Sequence, residues 1–389
     1  MKTGIYSQLA PVLFGSGSIV QCGEKAKELG MHKVMVITDP MLAELGYDKK
    51  VADSLQSSQL EAVVWAKAQA ECPAENVKEG AAFAKSAMID GIIGIGGGSS
   101  LDVAKAVAVI AANTDKILEE IPVYRVGKKT YDDNPLPCIL LPTTSGTGAE
   151  CTFVAVINDP IAGGKVGLPA PPAYAIVDPE LTLGTPPLIT AFSGLDAFSH
   201  AVESLTAKGN TYHTDILAGE AIRLIYEWLP KACENTNNLE AREKLAFASN
   251  LAGIAFNEAG VHIGHSIAHA LGYAHHMAHG HACALSTPAV IEYVTIHHPE
   301  KTHIISNAMS LQINNANAKE VGKQTADAVR HLMAQVGIPS LAQAGLTHEQ
   351  TLALIDMVDG DPLSLEFDGP VTRTDSAKML ERMYDGYGE

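Results

Sequence analysis

The hydrophobic pattern of this chain changes character at Thr185-Pro186-Pro187. Before this prolyl segment, short β-rich apolar runs alternate with helical stretches, which is typical of an open parallel sheet covered by helices. After it, the pattern predicts only helices, separated by Gly, Pro and Asn. We therefore expect an α/β domain with a doubly wound parallel sheet over residues 1–187 and an all-α domain over residues 188–389.

The individual elements follow from length and periodicity. Four largely apolar runs predict central parallel strands, which are covered on both faces: Lys33–Asp39, Glu61–Trp65, Gly91–Gly96 and Cys138–Pro142. Apolar spacings of three and four predict the following helices: Ala74–Ser86, Ser100–Ala112, Ala191–Ala207, Thr214–Lys231, Leu239–Asn257, Gly260–Leu271, Lys319–Val336 and Ser376–Tyr384.

Composition excludes several classes of partner. The formal net charge of -17 opposes binding to nucleic acid or to an anionic membrane surface, because both require a basic face. No run approaches the roughly 18 apolar residues that a membrane helix needs. The six cysteines are scattered singly, with no C-x-x-C pair, so a disulfide framework is not expected. A cytoplasmic protein is the expectation.

Two polar loops follow predicted strands of the first domain. Segment 95–100 (IGGGSS) lies between a strand and a helix, where glycines let backbone N–H groups approach an anion at the helix N-terminus. Segment 142–150 (PTTSGTGAE) follows the next strand and offers hydroxyl groups and turn amides. A glycine-rich turn alone is often only a tight turn, but the two loops together predict a nucleotide site.

Asp39 stands at the end of the first predicted strand. A carboxylate there can accept hydrogen bonds from ribose hydroxyls and repel a 2′-phosphate, which favours NAD over NADP. An equally good interpretation is an N-cap for the helix that Pro40 begins.

The histidines concentrate in the helical half. Asp196 and His200 are four residues apart, so on a helix they share a face and can reach one ion. His265 and His269 repeat this spacing, and His279 follows one loop later. A single histidine on an apolar helix face is usually a hydrogen-bonded core residue. One carboxylate with three imidazoles instead suits Fe(II) or Zn(II), and such an ion stabilises the alkoxide from which hydride is lost.

These segments together resemble the iron-containing (group III) alcohol dehydrogenase family over nearly the whole chain. The motifs that carry the resemblance are GGGSSLDVAK at 96–105, PTTSGTGAE at 142–150, DPELTLGTPP at 178–187, GLDAFSHAVES at 194–204 and HSIAHALG followed by HG at 265–280. The resemblance implies a dinucleotide-binding α/β domain, a helical metal-binding domain, a small alcohol or aldehyde as substrate, and a homodimer or larger homo-oligomer.

The resemblance also implies roles for single residues. Asp196, His200, His265 and His279 match the family's metal ligands. His269 matches a histidine near the nicotinamide that relays a proton, so it is predicted to be catalytic together with His265. Positions that line the cofactor are matched by Asp39, Gly97, Gly98, Ser99, Asp102, Thr143, Thr144, Ser145, Thr147, Lys165 and Leu183.

The chain departs from the family pattern around the predicted substrate site. Glu258 stands where the family usually has Asn, and His262 stands where it usually has Gly. Residues 275–278 (HHMA) replace a stretch that is normally aromatic and ends in Pro. We predict that His262 and His275 make a more polar pocket, suited to a substrate with a second polar or anionic group, with Phe153 and Phe256 also lining it. The alternative is that both histidines are exposed loop residues.

Two other function classes compete with an oxidoreductase. A lyase of the dehydroquinate synthase type has a related fold and uses NAD transiently with a zinc ion. Its substrate phosphate requires a basic pocket, and no Lys or Arg cluster surrounds the histidine motifs. A non-catalytic nucleotide or metal sensor is disfavoured by the complete ligand set and both loops.

Overall fold

The computed structural model of the chain describes Tyr6 and residues 8–159, 164–313 and 317–387. These residues form two compact units. The sheet unit comprises Gln8–Thr144 and Gly148–Thr182. The helical unit comprises Tyr6, Ser145–Thr147 and the described residues from Leu183 onward. The predicted domain boundary after residue 187 lies five residues beyond the end of the sheet unit.

A parallel sheet with the strand order β1-β8-β5-β4-β2-β3 forms the sheet unit, beside an antiparallel pair of β6 and β7. Its strands are β1 Val12–Phe14, β2 Lys33–Ile37, β3 Glu61–Trp65, β4 Gly91–Gly96, β5 Cys138–Pro142, β6 Val154–Asp159, β7 Gly164–Pro169 and β8 Tyr174–Val177. Its helices are α1 Cys22–Glu28, α2 Pro40–Glu44, α3 Tyr47–Ser57, α4 Ala74–Ser86, α5 Gly98–Ala112 and α6 Ile121–Arg125.

The central strands are buried on both faces. Along β4, Ile92 belongs to one apolar cluster, whereas Ile93 and Ile95 belong to another. Successive side chains of a strand point to opposite faces, so these two clusters are the cores on the two sides of the sheet. This is why the central strands are apolar at nearly every position, and the predicted doubly wound α/β class is confirmed.

The helical unit is built on a core contributed mainly by its longer helices. Its helices are α7 Pro187–Ser204, α8 Tyr212–Glu234, α9 Leu239–Ala259, α10 Ile263–His275, α11 His279–His297, α12 Pro299–Ala308, α13 Ala318–Gln335, α14 His348–Leu352, α15 Ile355–Gly360 and α16 Arg373–Asp385. The described residues of this unit include no helix long and apolar enough to cross a bilayer.

The sequence patterns missed several elements. Strands β1 and β8 are only three and four residues long, too short for a periodicity to stand out. Helix α11 was not among the predicted helices, and it carries Pro288 in its interior, a residue that usually ends or kinks a helix. The predicted helix 260–271 begins at Ile263 instead, because Gly260 has a φ of 90° and ends α9.

Gly94 provides a test of the packing between β4 and α5. A Cβ at this position would lie 2.5 Å from the Cβ of Ala104 and 3.0 Å from Leu140. We expect Gly94→Ala to destabilise the protein by about 1–3 kcal/mol, since neither neighbour can withdraw without moving a buried element. The midpoint of thermal unfolding measures this effect.

Gly360→Ala is the matched control, because no atom lies within 4 Å of a Cβ built there. This variant should change stability by less than about 0.5 kcal/mol. Equal melting temperatures for the two variants would contradict the close packing at Gly94.

Candidate active site

The carboxyl ends of three neighbouring strands carry the predicted nucleotide-binding residues of the sheet unit. Strand β2 leads to β3 on one side, whereas β4 leads to β5 on the other, so the chain reverses its winding between β2 and β4. Ligands of doubly wound sheets bind at such a switch point, outside the carboxyl ends of the strands. Asp39 follows β2, and Gly97 and Gly98 follow β4. Beside them, the Thr143 amide donates to the Gly96 carbonyl at 2.9 Å.

Both interpretations of Asp39 remain compatible with its surroundings. Its Oδ1 accepts from the Leu42 amide at 3.0 Å, so it caps α2, and Pro40 occupies the first turn. The carboxylate is only partly buried. Capping therefore uses one oxygen, and Oδ2 is not part of the cap.

Glu71 links two other predicted cofactor residues, Ser99 by a hydrogen bond and Lys165 by an ion pair. The Glu71 amide donates to Ser99 Oγ at 3.1 Å, and the Glu71 carboxylate lies 2.8 Å from Lys165 Nζ. These contacts bring Lys165, from strand β7, to the start of α5. The segment 142–150 divides between units, because Thr143 and Thr144 belong to the sheet unit, whereas Ser145 and Thr147 belong to the helical unit. Leu183 also lies in the helical unit.

Asp102 contacts a fully buried ammonium group. Lys105 is 1% exposed and donates to the Ala149 carbonyl and to Thr152 Oγ1, both at 2.9 Å. Its Nζ lies 3.5 Å from the Asp102 carboxylate. Burial raises the pKa of Asp102 to about 6, although the charge of Lys105 opposes the shift. Lys105 thereby connects the middle of α5 to Ala149, near the end of the second polar loop, and to Thr152 just beyond it.

Four predicted ligands converge in the helical unit. Asp196 and His200 come from α7, His265 from α10 and His279 from the first turn of α11. Each offers one ligand atom, and all four atoms lie within 4.8 Å of one another. Asp196 Oδ1 is 3.6 Å from His279 Nε2 and 3.9 Å from His200 Nε2. This geometry brings together one carboxylate and three imidazoles, as the resemblance implies.

The cluster has the chemistry of a cation site. Asp196 is 2% exposed, and its Oδ1 has no hydrogen-bond partner among the described residues. A buried carboxylate oxygen without a partner is costly unless a cation neutralises it. Burial lowers the pKa of His200 to about 4, so its ring is neutral at pH 7 and can act as a ligand. The residues present therefore fit a divalent metal ion.

Glu203 accepts a hydrogen bond from one of these predicted ligands, His265. Its Oε2 accepts from His265 Nδ1 at 2.9 Å and from the His262 amide at 2.6 Å. Burial alone would raise the pKa of the Glu203 carboxyl, but the nearby imidazoles and these hydrogen bonds lower it to about 2. With Nδ1 of His265 bound to Glu203, Nε2 is the nitrogen left for a metal. Gly264 is required here, since a Cβ there would lie 2.0 Å from Glu203 Oε1.

The side chain of His262 is enclosed in the interior of the helical unit. Its side chain is 0% exposed, its Nε2 lies 2.9 Å from Thr206 Oγ1, and its ring packs on Phe367 with centroids 5.2 Å apart. Burial lowers its pKa, which favours the neutral ring. The residue is thus neither an exposed loop histidine nor a side chain open to a pocket, and the argument for a polar pocket rests on His275.

The other predicted substrate and catalytic residues lie as follows. Phe256 stacks on His200, with centroids 4.1 Å apart, so it covers a predicted ligand. His275 is the partly buried last residue of α10. Phe153 is 39% exposed in the sheet unit. His269 lies one turn beyond His265, and its Nδ1 is 2.8 Å from Asp361 Oδ2.

Three residues near the cluster were not singled out from the sequence. Cys283 is buried, with Sγ 3.8 Å from His265 Nε2 and 3.6 Å from His279 Nε2, and burial raises the pKa of its thiol to about 11. Glu203 was detectable, because it lies three residues after His200 on the same helix face. Asp361 carries no local signal, since it is separated from His269 by 92 residues.

The chain is similar to known proteins along almost its whole length. The family model described as iron-containing alcohol dehydrogenase matches residues 10–179, and the C-terminal model of the Fe-containing alcohol dehydrogenase family matches residues 190–384. The NAD-dependent methanol dehydrogenase of Bacillus methanolicus is 34% identical over 343 residues, which are 87% of this chain and 88% of that protein.

Two solved structures extend the similarity to the fold. A 1,3-propanediol oxidoreductase superposes with a TM-score of 0.92 at 29% identity, covering 98% of this chain and 100% of the other. Sulfoacetaldehyde reductase from Bifidobacterium kashiwanohense, in complex with NAD+, gives a TM-score of 0.86 at 28% identity and 99% coverage of both chains. With both family models matched in order and the ligand cluster assembled, the chain belongs to the iron-containing alcohol dehydrogenase family.

Proposed function

We propose that this protein is an NAD(H)-linked oxidoreductase that interconverts a small primary alcohol and its aldehyde. The observation that carries the proposal is the convergence of four ligand atoms within 4.8 Å, one of them from Asp196, whose buried Oδ1 has no hydrogen-bond partner in the described part of the chain. Asp196, His200, His265 and His279 would hold Fe(II), and Zn(II) suits the same donors. When bound, the cation supplies Lewis acidity that favours loss of the alcohol proton.

NAD is the proposed cofactor, and as hydride acceptor it leaves one proton to be released per alcohol oxidised. The residues proposed to bind it in the sheet unit are Asp39, Gly97, Gly98, Ser99, Asp102, Thr143, Thr144 and Lys165. Ser145, Thr147 and Leu183, in the helical unit, complete the proposed set. Support comes from the strand-end position of the two loops and from the NAD+ complex of the similar sulfoacetaldehyde reductase.

We propose a short aliphatic alcohol or aldehyde as substrate, with Phe256 as an apolar contact because its ring lies on His200. Phe153 is proposed as a further contact. A second polar group on the substrate would face His275, since His262 is enclosed by Thr206 and Phe367. The similar proteins act on methanol, 1,3-propanediol and sulfoacetaldehyde, so both plain and polar substrates occur among them.

We also propose a cytoplasmic homodimer or larger homo-oligomer. Tyr212 and Ile216, one turn apart on α8, are 68% and 72% exposed, which is a pattern found at subunit contacts. The six cysteines are free, as a reducing compartment would keep them. The lyase alternative is set aside, because the matching family models and the similar proteins named above are oxidoreductases.

The proposal predicts NADH formation from primary alcohols. Protein purified without oxygen and loaded with Fe(II) should reduce NAD when given short alcohols, diols or acid-bearing alcohols, measured by absorbance of NADH. His200→Ala removes one of four ligands and should lower kcat/KM by at least about 10²-fold, with loss of bound metal. Metal analysis of the same samples checks the second effect.

His303→Ala is the matched control, because His303 is exposed on α12. It should keep both metal content and activity. The proposed function fails if fully loaded protein forms no NADH with any of these alcohols.

Glu203 provides a separate prediction about metal affinity. Glu203→Gln keeps the shape but removes the charge that holds His265 Nδ1. We expect metal binding to weaken about 10–100-fold, measured by competition with a chromophoric chelator. Glu292→Gln is the control, since Glu292 pairs with Arg330 and Arg382 instead. Unchanged affinity in Glu203→Gln would show that the carboxylate does not support the ligand.

Asp39 provides a prediction about cofactor choice. Asp39→Asn keeps an oxygen that can cap α2 but removes the negative charge. Activity with NADP relative to NAD should rise by roughly tenfold, since like-charge repulsion of the 2′-phosphate is lost. The ratio of kcat/KM values measures it, with Asp53→Asn, an exposed substitution on α3, as control. An unchanged ratio would leave Asp39 with its capping role alone.

A further inference from the structure

Asp361 and His269 form a partly buried carboxylate–imidazole pair beside the ligand cluster. His269 Nδ1 lies 2.8 Å from Asp361 Oδ2, and the two side chains are 23% and 16% exposed. The pair joins α10 to the start of the short 3-10 helix Pro362–Glu366. No family match or similar protein named above assigns a role to Asp361.

The two oxygens of Asp361 have different partners. Oδ1 accepts from the Leu363 amide at 2.8 Å, which caps the 3-10 helix, and from Ser266 Oγ at 3.4 Å. Oδ2 is left for His269. The cap and the serine thus fix the carboxylate, and the carboxylate in turn fixes one edge of the imidazole ring.

The ring held in this way lies against the ligand cluster. His269 is one helical turn beyond His265, and its ring stacks on that of His279 with centroids 5.9 Å apart and planes inclined by 29°. Because the two ring nitrogens lie on opposite sides of an imidazole, a proton held at Nδ1 by Asp361 leaves Nε2 with a free lone pair. The ring is also partly exposed, so it can exchange a proton with water.

We propose that Asp361 is a positioning residue that keeps His269 in the Nδ1–H tautomer, so that Nε2 can accept the proton released when an alcohol is oxidised. This inference rests on the proposed function, in which each alcohol oxidised releases one proton. The proton moves to Nε2 and then to solvent, and the Nδ1–H···Oδ2 hydrogen bond is kept throughout. In aldehyde reduction the same proton moves in the opposite direction.

Substitution by asparagine separates this role from the capping role. Asp361→Asn keeps Oδ1 as an acceptor for the Leu363 amide, because asparagine is as good a cap as aspartate. Its amide N–H₂ then faces His269 Nδ1 and donates to it, which requires the Nε2–H tautomer. Asp361→Ser is a second variant, since serine also caps but offers no carboxylate.

The first measurement is steady-state kinetics on metal-loaded enzyme. We expect Asp361→Asn to lower kcat on the order of 10²-fold with KM for the alcohol within about threefold of wild type, since the proton acceptor acts in the transition state. Metal content, NADH binding and melting temperature should stay near the wild-type values. Asp375→Asn is the control, because Asp375 belongs to the capping box at the start of α16 and contacts no cluster residue among its described partners.

The second measurement does not need turnover. Nitrogen-15 spectra of histidine-labelled, zinc-loaded protein at about pH 8 report the tautomer of each neutral ring, and the His269 signals are identified by their loss in His269→Asn. We expect the Nδ1–H form in wild type and the Nε2–H form in Asp361→Asn. The inference is overturned if His269 keeps the Nδ1–H form in the variant, or if both capping variants retain wild-type kcat. Absence of alcohol oxidation by wild-type enzyme would instead overturn the proposed function, and the spectra would still decide the pairing.

Discussion

The arrangement of helices in the helical unit is constrained by the free-energy cost of burying Asp196, His200 and His265 away from water. These side chains are 5% exposed or less, and they lie in the same unit as the large apolar cluster of the helical core. A carboxylate in such a place is stable only when a cation or hydrogen bonds replace its hydration. Helices α7, α10 and α11 must therefore be held close enough for their polar groups to share one ion. Metal binding and folding of this region are thermodynamically linked for that reason.

Two further carboxylates fix the orientation of imidazole rings in and beside the cluster. Glu203 holds Nδ1 of His265, and Asp361 holds Nδ1 of His269, so two rings on one helix are each anchored at the same nitrogen. The consequence for both is the same, since Nε2 is left as the reactive atom. For His265 that atom belongs to the ligand cluster, whereas for His269 it is free for a proton. Helix α10 thus carries two imidazoles, one turn apart, for which different roles are proposed: metal binding by His265 and proton transfer by His269.

The sheet unit also contains a buried charge whose hydrogen-bond partners replace its hydration. Lys105 brings its ammonium group into the interior, where two carbonyls, a hydroxyl and Asp102 surround it. Its contacts connect the middle of α5 to Ala149 in the second polar loop and to Thr152 just beyond it. The loops at the ends of β4 and β5 are positioned by this contact and by the hydrogen bond between Thr143 and Gly96. The nucleotide site proposed at this edge requires no basic surface, in agreement with the acidic composition.

Local spacing in the sequence determined which residues could act together. The apolar runs predicted the four central strands, because a strand covered on both faces has no polar side, and the four-residue spacing of Asp196 and His200 predicted a shared helix face. Only the tertiary structure decided what surrounds them. His262 looked like a pocket residue, yet packing on Phe367, more than 100 residues away, encloses it. Asp361 reaches His269 through the fold alone. Helical periodicity is a local property, so the sequence alone identified the side chains that could bind a metal. Burial and hydrogen-bond partners are set by segments distant in sequence, so the surroundings of these side chains could be identified only from the tertiary structure.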